Sequence, residues 1–369
     1  MKKILYVTTI NLTTNTFLVP HINHLLDLGY DVEIANNLDT PLSDKLAKNV
    51  LHNQIEFSRN PLHFNNLKAY YQIKRLMKEK KYDIVHVHTP VAAFITRMAS
   101  RKQTIKLIYT AHGFHFYKGA PIINWLFYYP LEWIAARWTD IIVTINKEDY
   151  IRAKKFKMRK NGEVKLMHGV GIDPKQYELV NFDRDGYRKM LGLSKDDFVL
   201  LILAELNKNK NHIQLIKAMA LLKDNKTNIK VLCAGSGPLE KKLKQKIKDL
   251  NLDSNISFIG FRTDVKELLS SCDCVGLFSK REGLGKCLLE GMSTGKPLIG
   301  TNTRGPREII SHGENGYLVE LDNYRQLSGY IKELSNKKDM CLKFGNLNKE
   351  KINKYSLKEI LLFINDIYL

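Results

Sequence analysis

Between Ser279 and Glu290 the chain reads Ser-Lys-Arg-Glu-Gly-Leu-Gly-Lys-Cys-Leu-Leu-Glu. Two carboxylates, Glu282 and Glu290, are separated there by seven residues that include Gly283, Leu284, Gly285 and Lys286. The preceding run Cys274–Phe278 reads as a buried strand, and from Gly285 to Met292 apolar residues fall at helical spacing. Glu282 then stands at a strand's carboxyl end, just ahead of a helix, where open α/β sheets bind ligands. Glycines there let a ligand approach the backbone, and the first N–H groups of a helix favour phosphate. Glu290, further along the helix, can face the same crevice and accept from hydroxyls. Two solvated helix charges would have the same spacing, so the surroundings carry the argument.

Several loops fall where they can join such a crevice. Gly235-Ser-Gly237-Pro238 lies between a strand and a helix and can turn N–H groups to a phosphate. It lacks the third glycine of a dinucleotide loop, which argues against a dehydrogenase. An ordinary strand-to-helix turn explains it equally well. Asn207-Lys-Asn-Lys-Asn211 offers Lys208 and Lys210 to a diphosphate, or is a solvated loop. Arg304-Gly-Pro-Arg307-Glu308 and Gly313-Glu-Asn-Gly316 are further turn-rich loops in this half. In the first half, His112 beside Gly113 follows a strand end, with His115 close behind. His86 and His88 alternate on another strand and so share a face. Packing or hydrogen bonding within the sheet accounts for that pair. No carboxylate completes a ligand set with these histidines, so no metal is expected. Asp183-Arg-Asp185 reads as helix-start charge.

The elements that must position these residues alternate. Apolar strands at 4–8, 31–35, 83–87, 106–110, 141–144 and 164–167 are interleaved with helical patterns at 17–28, 67–80 and 91–100. After a Gly/Pro-containing link at His168–Pro174 the alternation restarts with Val199–Ala204. That pattern predicts parallel sheets covered on both faces, in two α/β domains with a cleft between them. The expected division is 1–178, 179–350, and a closing segment 351–369 whose helix packs back on the first domain.

The 369 residues carry a formal charge of +20, spread evenly: 26 Lys and Arg against 15 Asp and Glu in residues 1–180, and 32 against 23 after that. The excess suits phosphate-bearing substrates or an anionic membrane surface. Aromatic residues crowd Phe114–Trp138, and cations follow at 152–160, a combination that suits a bilayer interface. An aromatic core helix beside a solvated basic face is the plainer explanation. Nucleic acid fits less well, since no base-reading module is visible. No run approaches the ~18 apolar residues that span a bilayer. The opening Met-Lys-Lys-Ile-Leu-Tyr-Val reads as a first strand and not as a signal peptide. Five scattered cysteines without ligand spacing read as reduced, buried thiols.

Taken together these residues resemble a retaining glycosyltransferase of family 4. The resemblance rests on Glu282-Gly-x-Gly-x-x-x-x-Glu290-Gly-Met with Gly295-Lys-Pro297 behind it, and on the Gly305…Glu308 and Asn315-Gly316 turns. Asp83–Pro90 and Tyr109–His115 are similar to enzymes of capsule and exopolysaccharide assembly. The resemblance implies a GT-B architecture: two Rossmann-like domains, parallel sheets facing across a cleft. The first would take the acceptor and the second a nucleotide sugar. It implies a metal-independent hexosyltransferase-type reaction, moving a sugar, an N-acetylated amino sugar, from a UDP-sugar to an undecaprenyl-diphosphate-linked acceptor. The enzyme would work at the cytoplasmic face of the cell membrane, with no cofactor.

By the same resemblance Glu282 holds the donor sugar's hydroxyls, the backbone of Gly283–Lys286 meets sugar and diphosphate, and Glu290 holds the ribose. Lys210 matches the diphosphate lysine. Glu205 stands where the family has an arginine, so Lys208 is expected to share that role. Phe261 and Arg262 lie where the base is held. His112 matches the cleft histidine, and Asn15, Thr16 and His115 fall on the acceptor side. The first loop, Thr9–Thr16, lacks the usual glycine pair. A nucleotide-sugar 2-epimerase of the same fold and a non-catalytic membrane or polyanion binder are the alternatives. The Glu282/Glu290 spacing weighs against the first, and the glycine loop between them against the second.

Overall fold

The computed structural model describes residues 1–223 and 228–369. Contacts divide the chain into two compact units, Met1–Val170 with Ile360–Leu369, and Gly171–Glu359. The second unit is continuous in sequence. The first is completed by the far end of the chain.

The first unit is built on a parallel sheet of β1 (Lys3–Ile10), β2 (Asp31–Asn37), β3 (Leu51–Gln54), β4 (Ile84–His88), β5 (Lys106–Ala111), β6 (Ile141–Thr144) and β7 (Glu163–Leu166). Its spatial order is β3-β2-β1-β4-β5-β6-β7. All five residues of β4 are buried, and the side chains of β1, β4 and β5 fill the core. Strands covered on both faces read as apolar runs, which is why the sequence showed them. β3 is different. Its Leu-His-Asn-Gln is half-exposed at the sheet edge and carries no apolar signal. The segment read as a first loop is in fact helical: a turn at Asn11–Thr13 runs into a π-helical turn at Thr14–Leu18. Asn15 donates to Pro41 O at 2.8 Å and accepts from Ser43 N–H at 3.1 Å, and Thr16 donates to Leu12 O at 2.7 Å. Helical hydrogen bonds and these side-chain ties hold the turn without a glycine pair.

Helix Leu357–Tyr368 brings the chain's end to this unit. Tyr368 is fully buried, its hydroxyl 2.6 Å from His86 Nδ1. Asn365 meets His24 at 2.7 Å and Asp366 pairs with Lys165 at 2.5 Å.

The second unit carries a parallel sheet of β8 (Phe198–Leu203), β9 (Ile229–Ala234), β10 (Ile256–Phe258), β11 (Cys274–Leu277), β12 (Leu298–Thr301) and β13 (Gly316–Val319). Its order is β10-β9-β8-β11-β12-β13. Asp183 accepts from Gly186 N–H at 2.9 Å and caps helix Arg184–Met190, so Asp183-Arg-Asp185 is helix-start charge. Helices Tyr324–Asn336 and Lys338–Lys351 complete this unit. No helix of the described residues is long and apolar enough to cross a membrane.

In each sheet the strand order reverses at one place: between β1 and β4 in the first, between β8 and β11 in the second. Ligand crevices open beyond the carboxyl ends of strands at such switch points.

Candidate active site

The switch point of the second sheet gathers Lys210, from the loop after β8, and Glu282, from the loop after β11. Lys210 Nζ lies 2.6 Å from Glu282 Oε1. The β8 loop holds its own shape: Asn207 Oδ1 accepts from the N–H groups of Asn209 and Lys210, both at 3.0 Å. It is also clamped to the β11 loop. Asn209 exchanges side-chain bonds with the Arg281 backbone at 3.0 and 3.1 Å, and its carbonyl accepts from Lys280 N–H at 2.8 Å. Burial pulls the Lys210 ammonium down, but the charge and hydrogen bond of Glu282 outweigh it, with Cys287 and Glu205 adding to the rise. Its pKa therefore ends above the ordinary lysine value, and the group stays cationic.

Helix Lys286–Ser293 starts directly beyond. Gly285 precedes it at φ +107, a left-handed conformation, and an added Cβ would lie 2.9 Å from Leu277. No side chain caps this helix, so its first turn and dipole face the crevice uncapped. Leu284 is buried, while half the Lys286 side chain is exposed, 3.5 Å from Glu290. Glu290 Oε1 also accepts from the Tyr177 hydroxyl at 2.9 Å. Arg304 donates to Glu282 O at 3.3 Å. Arg304 belongs to one of the turn-rich loops noted in the sequence; Tyr177 was not singled out there, since nothing local marks a partner that lies 113 residues away. Burial pushes the Cys287 thiol up to about 12 despite Lys210 nearby, so it is no nucleophile.

The other expected donor residues are placed differently. Gly235 does not turn its N–H to a ligand: it donates to Gly260 O at 2.7 Å. An added Cβ at Gly235 would sit 2.1 Å from Ala204 O, and one at Gly237 2.6 Å from Leu206 O. These glycines let the β9 loop pack on the exit of β8. Among the described residues Lys208 makes no ion pair with Glu282. It lines a cavity of about 500 Å³ together with His212, Lys242, Lys246 and Lys280. Phe261 is 78% exposed, and Arg262 is engaged with Asp264 at 2.7 Å through Nε.

In the first unit, the residues beyond the switch point form a buried polar row. His86 lies between the hydroxyls of Tyr368 and Thr110, at 2.6 and 2.7 Å. His88 Nδ1 meets His112 Nε2 at 3.1 Å, at the exit of β5. The Thr9 and Thr89 hydroxyls meet at 2.7 Å across β1 and β4. His115 stacks on Tyr128 with ring centroids 4.4 Å apart. Burial, with smaller repulsions between neighbouring imidazoles, pulls His112 down to about 4 and His86 and His88 well below 6.5. Burial also takes His21 to about 4, against a raising hydrogen bond to Val170 O.

These depressed values carry a stability signature. The folded imidazoles stay neutral while the unfolded ones take a proton below about pH 6.5, so the unfolded chain binds more protons there. Stability is full above that pH. It falls as the pH drops to about 4, where His21 and His112 also protonate in the fold. Urea midpoints of the first unit are expected to fall over this window, less steeply in His88→Asn. A flat profile would mean these rings are not held neutral.

No group of three or more His, Cys, Asp or Glu among the described residues could hold a metal ion.

Two parallel-sheet, Rossmann-like domains make this a protein of the GT-B fold. Residues 183–351 match the family described as glycosyl transferases group 1, and residues 3–146 the one described as glycosyl transferase 4-like. The chain is 38% identical to the putative glycosyltransferase EpsD of Bacillus subtilis, over 100% of this chain and 96% of that protein. It belongs to this glycosyltransferase family. It is also 25% identical to the UDP-Gal:alpha-D-GlcNAc-diphosphoundecaprenol alpha-1,3-galactosyltransferase of Escherichia coli, over 92% of this chain and 89% of that one. Among solved structures, HepE of Anabaena in complex with UDP and glucose has the same fold, with a TM-score of 0.81 at 20% identity over 99% of both chains.

Proposed function

We propose that the protein is a retaining, metal-independent transferase. It moves a sugar, an N-acetylated amino sugar, from a UDP-sugar to an undecaprenyl-diphosphate-linked saccharide during capsule or exopolysaccharide synthesis. The observation that carries this reading is the Lys210–Glu282 pair beside the uncapped start of helix Lys286–Ser293. That arrangement sets a cation, a helix N-terminus and a hydroxyl acceptor around one point. The galactosyltransferase of Escherichia coli named above supports the donor and acceptor classes.

In this reading the diphosphate of the donor meets Lys210 and the first N–H groups of the helix. Glu282, drawn from its lysine, accepts from the sugar's hydroxyls, and Glu290 accepts from the ribose with Tyr177 holding its other side. Phe261, Arg262, Lys208 and Gly237 lie further out around the nucleotide. His112, with Asn15, Thr16 and His115, belongs to the acceptor side. The bond from the anomeric carbon to the diphosphate oxygen breaks as the acceptor oxygen attacks from the same face. The acceptor's proton passes to the leaving phosphate, and UDP departs. The protein's part is to stabilise the charge growing on the diphosphate and to fix the reactants in place.

The protein works as a peripheral protein at the cytoplasmic membrane face. Helix Ile122–Ala136 supports this. Ile122, Ile123 and Leu126 are each more than 60% exposed, and Arg137 stacks over Trp133 at 3.5 Å. Binding to vesicles is expected to rise with anionic lipid and to weaken about tenfold when salt is raised well above physiological strength. Leu126→Glu should weaken it further. Equal binding to neutral vesicles would remove the basic-face reading.

The test of transfer is a panel of UDP-sugars, incubated with and without sugar-diphosphate prenols. Acceptor-stimulated release of UDP from one donor establishes a transferase and names the sugar. Conversion of the donor to an epimer would replace this reading with an isomerase. Binding of polyanions without any nucleotide would replace it with a binder.

A further inference from the structure

A groove of about 450 Å³ lies wholly within the first unit, in the size range of ~300–1,000 Å³ typical of small-molecule sites. One wall is Phe94, Ile95 and Met98 of helix Pro90–Ser100. The other is Phe127, Tyr128 and Leu131 of helix Ile122–Ala136. Leu62, Phe64 and Leu67 form a rim and are 81%, 80% and 64% exposed. Singly exposed apolar residues need no explanation, but a contiguous apolar groove with such a rim does.

The carboxylate, the amide and one imidazole nitrogen among its lining residues are already engaged. Glu132 takes the Arg97 guanidinium at 2.7 Å and the Tyr109 hydroxyl at 3.0 Å. Asn66 accepts from Ser58 N–H at 2.9 Å and donates to Asn60 O at 2.8 Å. His63 Nδ1 accepts from Asn65 N–H at 3.2 Å. With most of its lining apolar, the groove asks for an occupant that is mainly apolar.

Its position narrows the choice. Pro90 and Val91 are among its lining residues, and they closely follow His88, whose ring meets His112. Tyr128 lines it too, and stacks on His115. The groove thus stands one lining residue, Tyr128, away from His115. Lys74 stands 5.7 Å from the ring of Tyr70, another lining residue, so a cation borders it as well. An occupant that is apolar along its length, anionic at one end and able to bring a sugar to His112 meets every one of these features.

We infer that this groove takes the first isoprenoid units of the acceptor's prenyl chain, with the diphosphate and sugar emerging beside His112 and His115. The inference rests on the lipid-linked acceptor proposed above and adds where the lipid is held. It makes the chain a recognised part of the substrate, with its contribution appearing as binding energy away from the reacting atoms.

The experiment is calorimetric titration of the full chain with dimethylallyl, geranyl, farnesyl and geranylgeranyl diphosphate. Affinity should rise about tenfold with each unit that enters the groove, and then level off. Met98→Trp and Leu131→Trp fill the groove from its two walls, and each should abolish the gain. Unchanged circular dichroism and melting keep both variants interpretable. Equal affinity for all four probes overturns the inference. So does an equal gain for straight-chain alkyl diphosphates, or a gain that survives both substitutions. Transfer is measured separately on the same protein. Graded binding without turnover of any sugar acceptor would uphold the groove and sink the transferase reading; turnover without graded binding would do the reverse.

Discussion

Glu282→Ala is expected to lower kcat for sugar transfer by about 10²–10³-fold, the usual cost of removing one charge-positioning group from a preorganised site. The carboxylate sits 2.6 Å from Lys210, on a loop clamped by Asn209 and held at Ser279 O by the Thr301 hydroxyl at 2.6 Å. Its position is therefore set by neighbours that the substitution leaves intact. The fold should tolerate the change. Lys210 keeps 23% side-chain exposure and can turn its ammonium to water, so losing a partly solvated partner costs about 1 kcal/mol or less. Glu282→Gln retains a hydroxyl acceptor without the charge and should recover part of the rate. The measurement is steady-state release of UDP alongside a thermal melt. Turnover at the wild-type rate in Glu282→Ala would take Glu282 out of the site.

Glu132→Ala should have the largest effect on stability, about 3–5 kcal/mol in the first unit. Arg97 has no exposed surface, and its guanidinium lies 4.1 Å from the ring centroid of Tyr109. Besides Glu132, its guanidinium donates to Ala93 O at 3.1 Å, and Nη1 is buried without a partner. Removing the carboxylate leaves a cation in a dry core with nothing to balance it and strands the Tyr109 hydroxyl as well. Taking both charges out together, as Arg97→Met with Glu132→Leu, should restore most of the loss, because apolar side chains of similar size often replace a buried pair at little cost. All three tryptophans, Trp125, Trp133 and Trp138, lie in this unit. Urea unfolding followed by tryptophan fluorescence therefore reports on it alone. An unchanged midpoint for Glu132→Ala would mean the pair is not what neutralises Arg97.

The parallel sheets were legible because strands buried on both faces are mostly apolar along their length, as in β8. The edge strand β3 escaped because its half-exposed residues obey no such rule. The stretch around Glu282 was legible for another reason: strand end, glycines and helix start follow one another directly, so a local spacing carries a three-dimensional arrangement. The Tyr177–Glu290 bond, the Arg97–Glu132 pair and the Tyr368–His86 contact each join residues far apart in the chain. Spacing says nothing about such partners, and composition only says that charges and hydroxyls are plentiful. Gly235 shows the converse. Its sequence setting fits a phosphate loop, yet the glycine is explained by the approach of the β9 exit to Ala204.

Tyr368 in the core of the first unit has a consequence for biosynthesis. Domains generally close in the order in which they leave the ribosome. Here the amino-terminal half is made first, but the phenol that satisfies His86 is translated only after all of residues 171–359. Residues 171–359 form one unit that is continuous in sequence and leaves the ribosome ahead of Tyr368. The first half must wait with a buried polar row still open to water. Completion of the older domain is thereby tied to synthesis of residues 360–369, and a product terminated before them carries an imperfect first half whatever the state of its second.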